Sequence, residues 1–264
     1  VDAITHGLQR KDLIVLAGRP STGKSAVLVN MAMAAARAGH TVGFLSLEMG
    51  AEQIVDRMIA VETGVPLEHV AHPETMTADE RRRYMAGAGQ ISKLPILIEA
   101  SGRITPQRVK LLARRWKRTH GLSLVIVDYL QLMQGHDHDS RRRQSRYEEV
   151  SDLSITMQQL AMELDVPVVL AAQLSRAVEQ RQDKRPVPSD LRDSGQIEQD
   201  ADLIAMLYRP HVYDESASPH ELEFILCKHR NGPTATVPLY WEGVTTRVLQ
   251  GVKNSVDLSL LGGG

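Results

Sequence analysis

The sequence predicts an α/β fold, with a mostly parallel central sheet flanked by helices and additional strands towards the C-terminus. Three observations predict it. Strand-length apolar runs such as Leu13–Ala17 and Val166–Ala172 are continuous rather than alternating, as in strands covered on both faces. Helix-length segments separate them, giving a β-α-β-α order. After Gln173 the character changes to a polar stretch followed by short strands.

The elements follow in order. Residues 12–17 (DLIVLA) read as a buried strand, followed by a glycine-rich turn and a helix over about 25–38 that Gly39 would cap. Residues 41–47 (TVGFLSL) form the next strand, and 51–63 the next helix. Thr77-Ala-Asp-Glu80 matches a capping box and opens a further helix. Residues 95–98 are a short strand. Residues 108–120 are helical, with Val109, Leu112, Ala113 and Trp116 on one stripe. Residues 123–127 (SLVIV) are a buried strand, 135–143 a polar loop, 145–164 a long helix and 166–171 a strand. Residues 175–196, rich in Arg, Asp and Pro, read as a long functional loop. Short strands over 203–207, 222–228, 236–241 and 246–249 follow, partly antiparallel. With no internal repeat and no linker, the chain reads as one domain over 1–250 and a flexible tail over 251–264.

The chain has 264 residues, enough for one large domain with a substantial core. At 42% hydrophobic and 24% charged it has an ordinary globular composition. With 4% aromatics, the core must rest on aliphatic residues and Met. Met31, Met33, Met58 and Met157 are read as such filler. No run reaches the length of a membrane span, and no signal peptide is visible. The chain opens at Val1 without a Met, as a fragment or a processed product would. Cys227 is the single cysteine, read as an inert buried thiol; it excludes an intrachain disulfide and fits a reduced, cytoplasmic setting. A formal net charge of −1 argues against a uniformly basic face, so any nucleic-acid site is local, a loop or a channel.

Gly18-Arg-Pro-Ser-Thr-Gly-Lys24-Ser25 fits G-x-x-x-x-G-K-[ST] in full, after a strand and opening a helix. Backbone N–H groups and the helix N-terminus can cradle an anion there. Lys24 would reach the β- and γ-phosphates of a nucleotide, and the Ser25 hydroxyl would hold Mg²⁺. The candidate nucleotide-binding set is Gly18, Arg19, Pro20, Ser21, Thr22, Gly23, Lys24, Ser25 and Ala26. Leu124-Val-Ile-Val-Asp128 is an apolar strand ending in an acid, so Asp128 is the second candidate for Mg²⁺. Glu48 ends the 41–47 strand, which is expected to lie close to the phosphate-loop strand. It could activate water or simply be the acidic start of the next helix. Gln173 ends a strand and could sense the γ-phosphate or be a surface amide.

Together these pieces resemble the C-terminal motor domain of DnaB-type replicative helicases, a RecA-like P-loop NTPase. The resemblance runs from about residue 4 to 249. It is carried by Ala17-Gly-Arg-Pro-Ser-Thr-Gly-Lys-Ser25, Ser46-Leu-Glu-Met49, Val127-Asp-Tyr-Leu-Gln-Leu-Met133 and Gln173-Leu-Ser-Arg176. Glu179 to Pro186, Ser189-Asp-Leu-Arg-Asp-Ser-Gly195, Ile197 to Asp202 and Lys228-His-Arg-Asn-Gly-Pro233 extend it. It implies an ATP-driven hexamer translocating on single-stranded DNA. Glu48 matches the glutamate that activates water. Gln173 matches the residue coupling γ-phosphate state to the DNA loops. Arg230 matches an arginine finger acting on the neighbouring subunit, with Lys228 beside it. Arg192, Asp193 and Gly195 match the loop that grips single-stranded DNA; many relatives carry Glu at the position of Asp193. In full-length relatives an N-terminal domain binds primase, so primase and loader contacts are expected of a longer protein.

Other features are read more plainly. Residues 101–120 carry seven Lys or Arg and no acid, read as the solvated face of a helix. The Arg141-Arg-Arg143 cluster is open between DNA contact and solvated charge. His136-Asp-His-Asp139 has the residues of a metal site but no distant partner. The competing functions are a recombination or repair ATPase forming filaments on DNA, and a nucleotide-gated loader or scaffold without turnover.

Overall fold

The structure is a computed structural model and describes residues 1–102, 104–128, 146–191 and 195–251. Arg103, the 135–143 loop with its two clusters, Arg192, Asp193 and the tail from 252 lie outside the described residues. In chain order the elements begin with α1 (Asp2–Thr5), β1 (Leu13–Gly18), α2 (Lys24–Arg37), β2 (Val42–Ser46), α3 (Ala51–Thr63), α4 (Leu67–Ala71) and α5 (Ala78–Ile91). They continue with β3 (Ile96–Ala100), α6 (Pro106–His120), β4 (Leu124–Asp128), α7 (Arg146–Leu164), β5 (Val168–Gln173) and α8 (Gly195–Asp200). The last are β6 (Leu203–Tyr208), β7 (Glu221–His229), β8 (Ala235–Glu242) and β9 (Arg247–Gln250).

Among the described residues the strands form one sheet in the order β3-β2-β4-β5-β1-β6-β7-β8-β9. The first six in that order are parallel. β7, β8 and β9 extend the sheet antiparallel. The α/β expectation therefore holds, with the C-terminal strands as an antiparallel wing. One expectation does not: β2 is separated from β1 by β4 and β5, so Glu48 does not arrive on a neighbouring strand.

Side chains of β1 alternate between two cores. Leu13, Val15 and Ala17 join Trp116 of α6 and Met157 and Leu160 of α7. Ile14 and Leu16 join Leu28 and Met33 of α2 and Ile54 and Met58 of α3. Burying each such side chain contributes about 1.5–3 kcal/mol. The expected stripe Val109, Leu112, Ala113 and Trp116 is buried, and Met33, Met58 and Met157 are core residues.

Caps set the helix starts. Thr77 Oγ1 accepts from the Glu80 N–H at 3.2 Å, and Glu80 Oε2 accepts from the Thr77 N–H at 2.8 Å, the reciprocal pair the sequence predicts. α6 starts two residues earlier than predicted because Thr105 caps it and Pro106 occupies its first turn. The 175–196 segment differs most from expectation. It holds two short 3₁₀ turns, Arg176–Gln180 and Pro188–Asp190, and runs into α8. Among its described charges several are internal fasteners: Arg181 pairs with Asp190 at 2.7 Å, and Arg185 with Glu223 at 2.6 Å. Isolated apolar residues, Val178 and Leu191, pin it to the core, and Ile197 does the same for α8, without any period to announce them.

Candidate nucleotide site

The phosphate loop joins β1 to α2. Gly23 sits at φ +96° directly before Lys24, and an added Cβ would stand 3.2 Å from the Trp241 ring. At Gly18 a Cβ would meet Thr22 Oγ1 at 2.5 Å. Only glycine satisfies both positions. Thr22 is buried, and its hydroxyl donates to the Arg19 carbonyl at 2.7 Å, closing the loop on itself. Lys24 Nζ donates to the carbonyls of Gly18 (2.9 Å) and Arg19 (3.4 Å). Burial lowers its pKa, while Asp128 and Glu48 pull it back up. Ser25 and Ala26 form the first turn of α2.

Asp128 ends β4 and is 1% exposed. Its carboxyl is pushed above the usual range by burial and, in smaller part, by Glu48; the Ser25 hydroxyl, which donates to it, and the cations Lys24 and Arg57 oppose this. Among the described residues its Oδ1 is buried with no hydrogen-bond partner. An orphaned carboxylate oxygen beside a hydroxyl, under a phosphate loop, suits a hard divalent cation with oxygen ligands. Ser25 and Asp128 thus fit Mg²⁺.

Glu48 reaches this site by an indirect route. β2 pairs with β4 so that Ser46 is opposite Asp128, and the Leu47 N–H donates to the Asp128 carbonyl at 2.7 Å. The turn is fixed by the Met49 N–H on Ser46 Oγ at 3.0 Å. Glu48 is exposed there, and its charge acts on Lys24, Asp128 and Arg57.

Arg57 is a site residue that sequence reasoning misses. It lies on α3 with its Nε buried and unpartnered among the described residues. Burial lowers its pKa, and Asp128 and Glu48 oppose this. The available signal is an arginine inside the apolar stripe Ile54, Met58, Val61.

Gln173, the last residue of β5, is in register with Gly18 and so stands beside the mouth of the loop. Arg19 is buried and fastens the loop to the segment after β5. It donates to the Leu174 carbonyl at 2.9 Å and twice to Glu179. On the other flank, the Arg209 guanidinium lies 4.8 Å from the centre of the Trp241 ring and donates to the Ser21 carbonyl at 3.2 Å. Sequence could not have paired these two residues, because the antiparallel wing alone brings them together.

Arg230 and Lys228 are not at this site in their own chain. Arg230 follows β7, and its Nη1 pairs with Asp202 Oδ1 at 2.9 Å. The other Asp202 oxygen accepts from the Leu13 N–H at 3.0 Å, at the end of β1 away from the phosphate loop. Lys228 Nζ donates to the carbonyls of Glu198 (2.6 Å) and Gln199 (3.2 Å), at the end of α8. Gly195 opens α8.

The basic helix α6 spends much of its charge locally. Arg114 forms a two-point pair with Glu163 at 2.6 and 2.7 Å, and Lys117 donates to the Leu122 carbonyl. Cys227 is half-buried, and burial pushes its thiol up to about 11. Among the described residues no group of His, Cys, Asp and Glu could hold a metal by itself. No described helix is long and apolar enough to cross a membrane.

Residues 1–250 match the model of the DnaB-like helicase C terminal domain. The replicative DNA helicase DnaC of Bacillus subtilis (strain 168) is 42% identical over 241 residues, which is 90% of this chain and 52% of that protein. The replicative DNA helicase DnaB of Haemophilus influenzae is 42% identical over 251 residues, 94% of this chain and 53% of that protein. The chain thus spans about half the length of the curated relatives it matches. Among solved structures, a DnaB-like replicative helicase, described with its interactions with primase, superposes with a TM-score of 0.90 at 34% identity, covering 95% of this chain and 60% of that one. A structure described as an ATPase domain gives the same TM-score and identity over 95% of this chain and 88% of that one. The RadB recombinase, at 14% identity and a TM-score of 0.57 over 95% of this chain and 96% of that one, shares the fold alone.

Proposed function

The chain belongs to the DnaB-like helicase C-terminal domain family, and from that premise we propose that it is the ATP-hydrolysing motor of a replicative DNA helicase. ATP lies with its β- and γ-phosphates on the loop of Gly18 to Lys24. Ser25 and Asp128 hold Mg²⁺, which when bound would neutralise charge on the phosphates. Glu48 takes the proton of the attacking water, and Gln173 reads the presence of the γ-phosphate. The Arg209 guanidinium, backed by the buried Trp241 ring and fixed to the Ser21 carbonyl, offers the base a flat surface.

Arg230 completes the site of a neighbouring copy, stabilising charge in the transition state, with Lys228 in support. The observation that carries this reading is a separation along β1. Lys24, Ser25, Asp128 and Glu48 converge at its C-terminal end, whereas Arg230 is anchored through Asp202 at Leu13, its N-terminal end. Six strand residues put about 17 Å between those ends. A chain built this way is served by the finger of another copy, as in a ring where each interface is the same. The ring proposed is a homo-hexamer.

The loop of Arg192, Asp193 and Gly195 grips the phosphate backbone of single-stranded DNA within the ring, through the Arg192 side chain and backbone N–H groups, a contact that carries no sequence information. The full-length protein would add contacts with a loader and with primase, the partner named in the description of one solved relative. Its proposed setting is the cytoplasm.

The test is ATP turnover with and without single-stranded DNA, for the parent protein, Glu48→Gln and Arg230→Ala. Each variant alone should be inactive, and mixing the two should restore turnover. Full activity of Arg230→Ala alone would overturn the shared site, and turnover indifferent to DNA would overturn the motor.

A further inference from the structure

We propose that Asp202 is a positioning residue for the trans-acting arginine: it holds Arg230 extended from the sheet so that the guanidinium meets a neighbour's nucleotide already oriented. The inference rests on the reading that Arg230 acts in trans. Asp202 lies between α8 and β6, and its side chain is 12% exposed against 64% for Arg230. Both carboxylate oxygens are engaged. Oδ2 accepts from the Leu13 N–H at 3.0 Å, which fixes the rotamer, and Oδ1 accepts from Arg230 Nη1 at 2.9 Å.

The main chain of Asp202 is equally tied. Its N–H donates to the Leu13 carbonyl at 2.9 Å, and its carbonyl accepts from the Arg230 N–H at 2.8 Å. The root and the head of Arg230 are therefore both referred to one buried residue at the end of β1. Among the described contacts Nη1 alone of the side-chain nitrogens is engaged, which leaves the rest of the fork to face outward. An ion pair with so exposed a partner adds little to stability. It acts on where a long, rotamer-rich side chain spends its time, and a catalytic group is effective only when it is held near its working geometry. Lys228, two residues earlier, is fastened to the last carbonyls of α8, so both trans-facing cations are built on the α8–β6 junction.

The test uses the full-length protein, assembled with nucleotide. Asp202→Asn keeps an acceptor for the Leu13 N–H and removes the charge that holds Arg230. Its kcat should fall about tenfold with KM for ATP unchanged, the scale of coupling between residues in one network. In mixed assemblies Asp202→Asn should complement Glu48→Gln and fail to complement Arg230→Ala, because its defect lies in the finger it gives away. Asp202→Glu, which keeps the charge but displaces it, should lie between Asp202→Asn and the parent, and serves if Asp202→Asn does not fold. Parent-like turnover of Asp202→Asn or Asp202→Glu beside an inactive Arg230→Ala would overturn the role of Asp202 and leave the finger intact. Complementation of Arg230→Ala by Asp202→Asn would place the defect in its own chain and also overturn it. Full activity of Arg230→Ala would remove the underlying reading instead.

Discussion

Arg19, inside the phosphate loop, is joined twice to Glu179, through Nε at 2.8 Å and Nη2 at 2.6 Å. Glu179 belongs to the 3₁₀ turn Arg176–Gln180. The Arg181–Asp190 pair and the bridge between Leu174 and Leu191 then carry the chain to the residue directly before Arg192. The loop that would hold phosphate is thus fastened to a stretch that ends at Leu191, the residue before the segment proposed to hold DNA. Glu179→Gln should leave ATP affinity within about twofold and cut the stimulation of turnover by single-stranded DNA about fivefold, the lower range of coupling between sites. Undiminished stimulation, measured beside nucleotide binding, would rule out this route.

Glu48 and Lys24 should separate binding from hydrolysis. Glu48→Gln should bind ATP as the parent does and lose turnover by about 10²–10⁴-fold, the range for a general base. Lys24→Ala should lose nucleotide affinity as well, since Lys24 stands at the head of the loop. A fluorescent ATP analogue read alongside phosphate release distinguishes the two. Glu48→Gln with parental turnover would remove it from the chemistry.

Arg57 is a half-buried cation whose buried Nε has no hydrogen-bond partner among the described residues, and which feels the charges of Asp128 and Glu48. A side chain kept there at the expense of burial is suited to bind the reacting phosphate. Arg57→Gln should lower kcat by about 10²-fold, as loss of one preorganised donor does. Thermal melting should remain close to the parent's. A drop in melting temperature with kcat retained would make Arg57 structural.

The α5 cap gives a pH signature. The Thr77 N–H, His69 and the Thr77 hydroxyl hold the Glu80 carboxyl down at about 2, from an ordinary 4.5. A carboxyl depressed on folding adds stability above its unfolded pKa and loses it as pH falls through the folded value. Glu80→Gln should therefore melt earlier than the parent at neutral pH. The gap should close between about pH 4.5 and 2. A gap independent of pH in that window would show that the carboxylate charge is irrelevant to the cap.

What is legible in the sequence is what is local in space. The phosphate loop, the Thr77–Glu80 box and the buried stripe of α6 depend on residues within a turn or two of one another, so their spacing carries their geometry. Strand order does not. The sequence suggests Glu48 beside β1, yet β4 and β5 intervene, and the site forms because Ser46 is in register with Asp128. Arg57 is hidden for a related reason, since its signal depends on which face of α3 meets the sheet. α8 is short and mostly polar, without a full apolar period to mark it. Trp241 and Arg209 meet only after the antiparallel wing turns back towards the phosphate loop.

With a site shared between copies as proposed, β1 would give the molecule a kinetic threshold. On the trans-acting arginine proposed above, with the anchor of Arg230 at one end of this strand and the phosphate loop at the other, a lone protomer in dilute solution would hold nucleotide without cleaving it. Specific activity would then rise with protein concentration and level off when every interface is filled. On the same proposal, a subunit shed from the assembly would fall silent without an inhibitor.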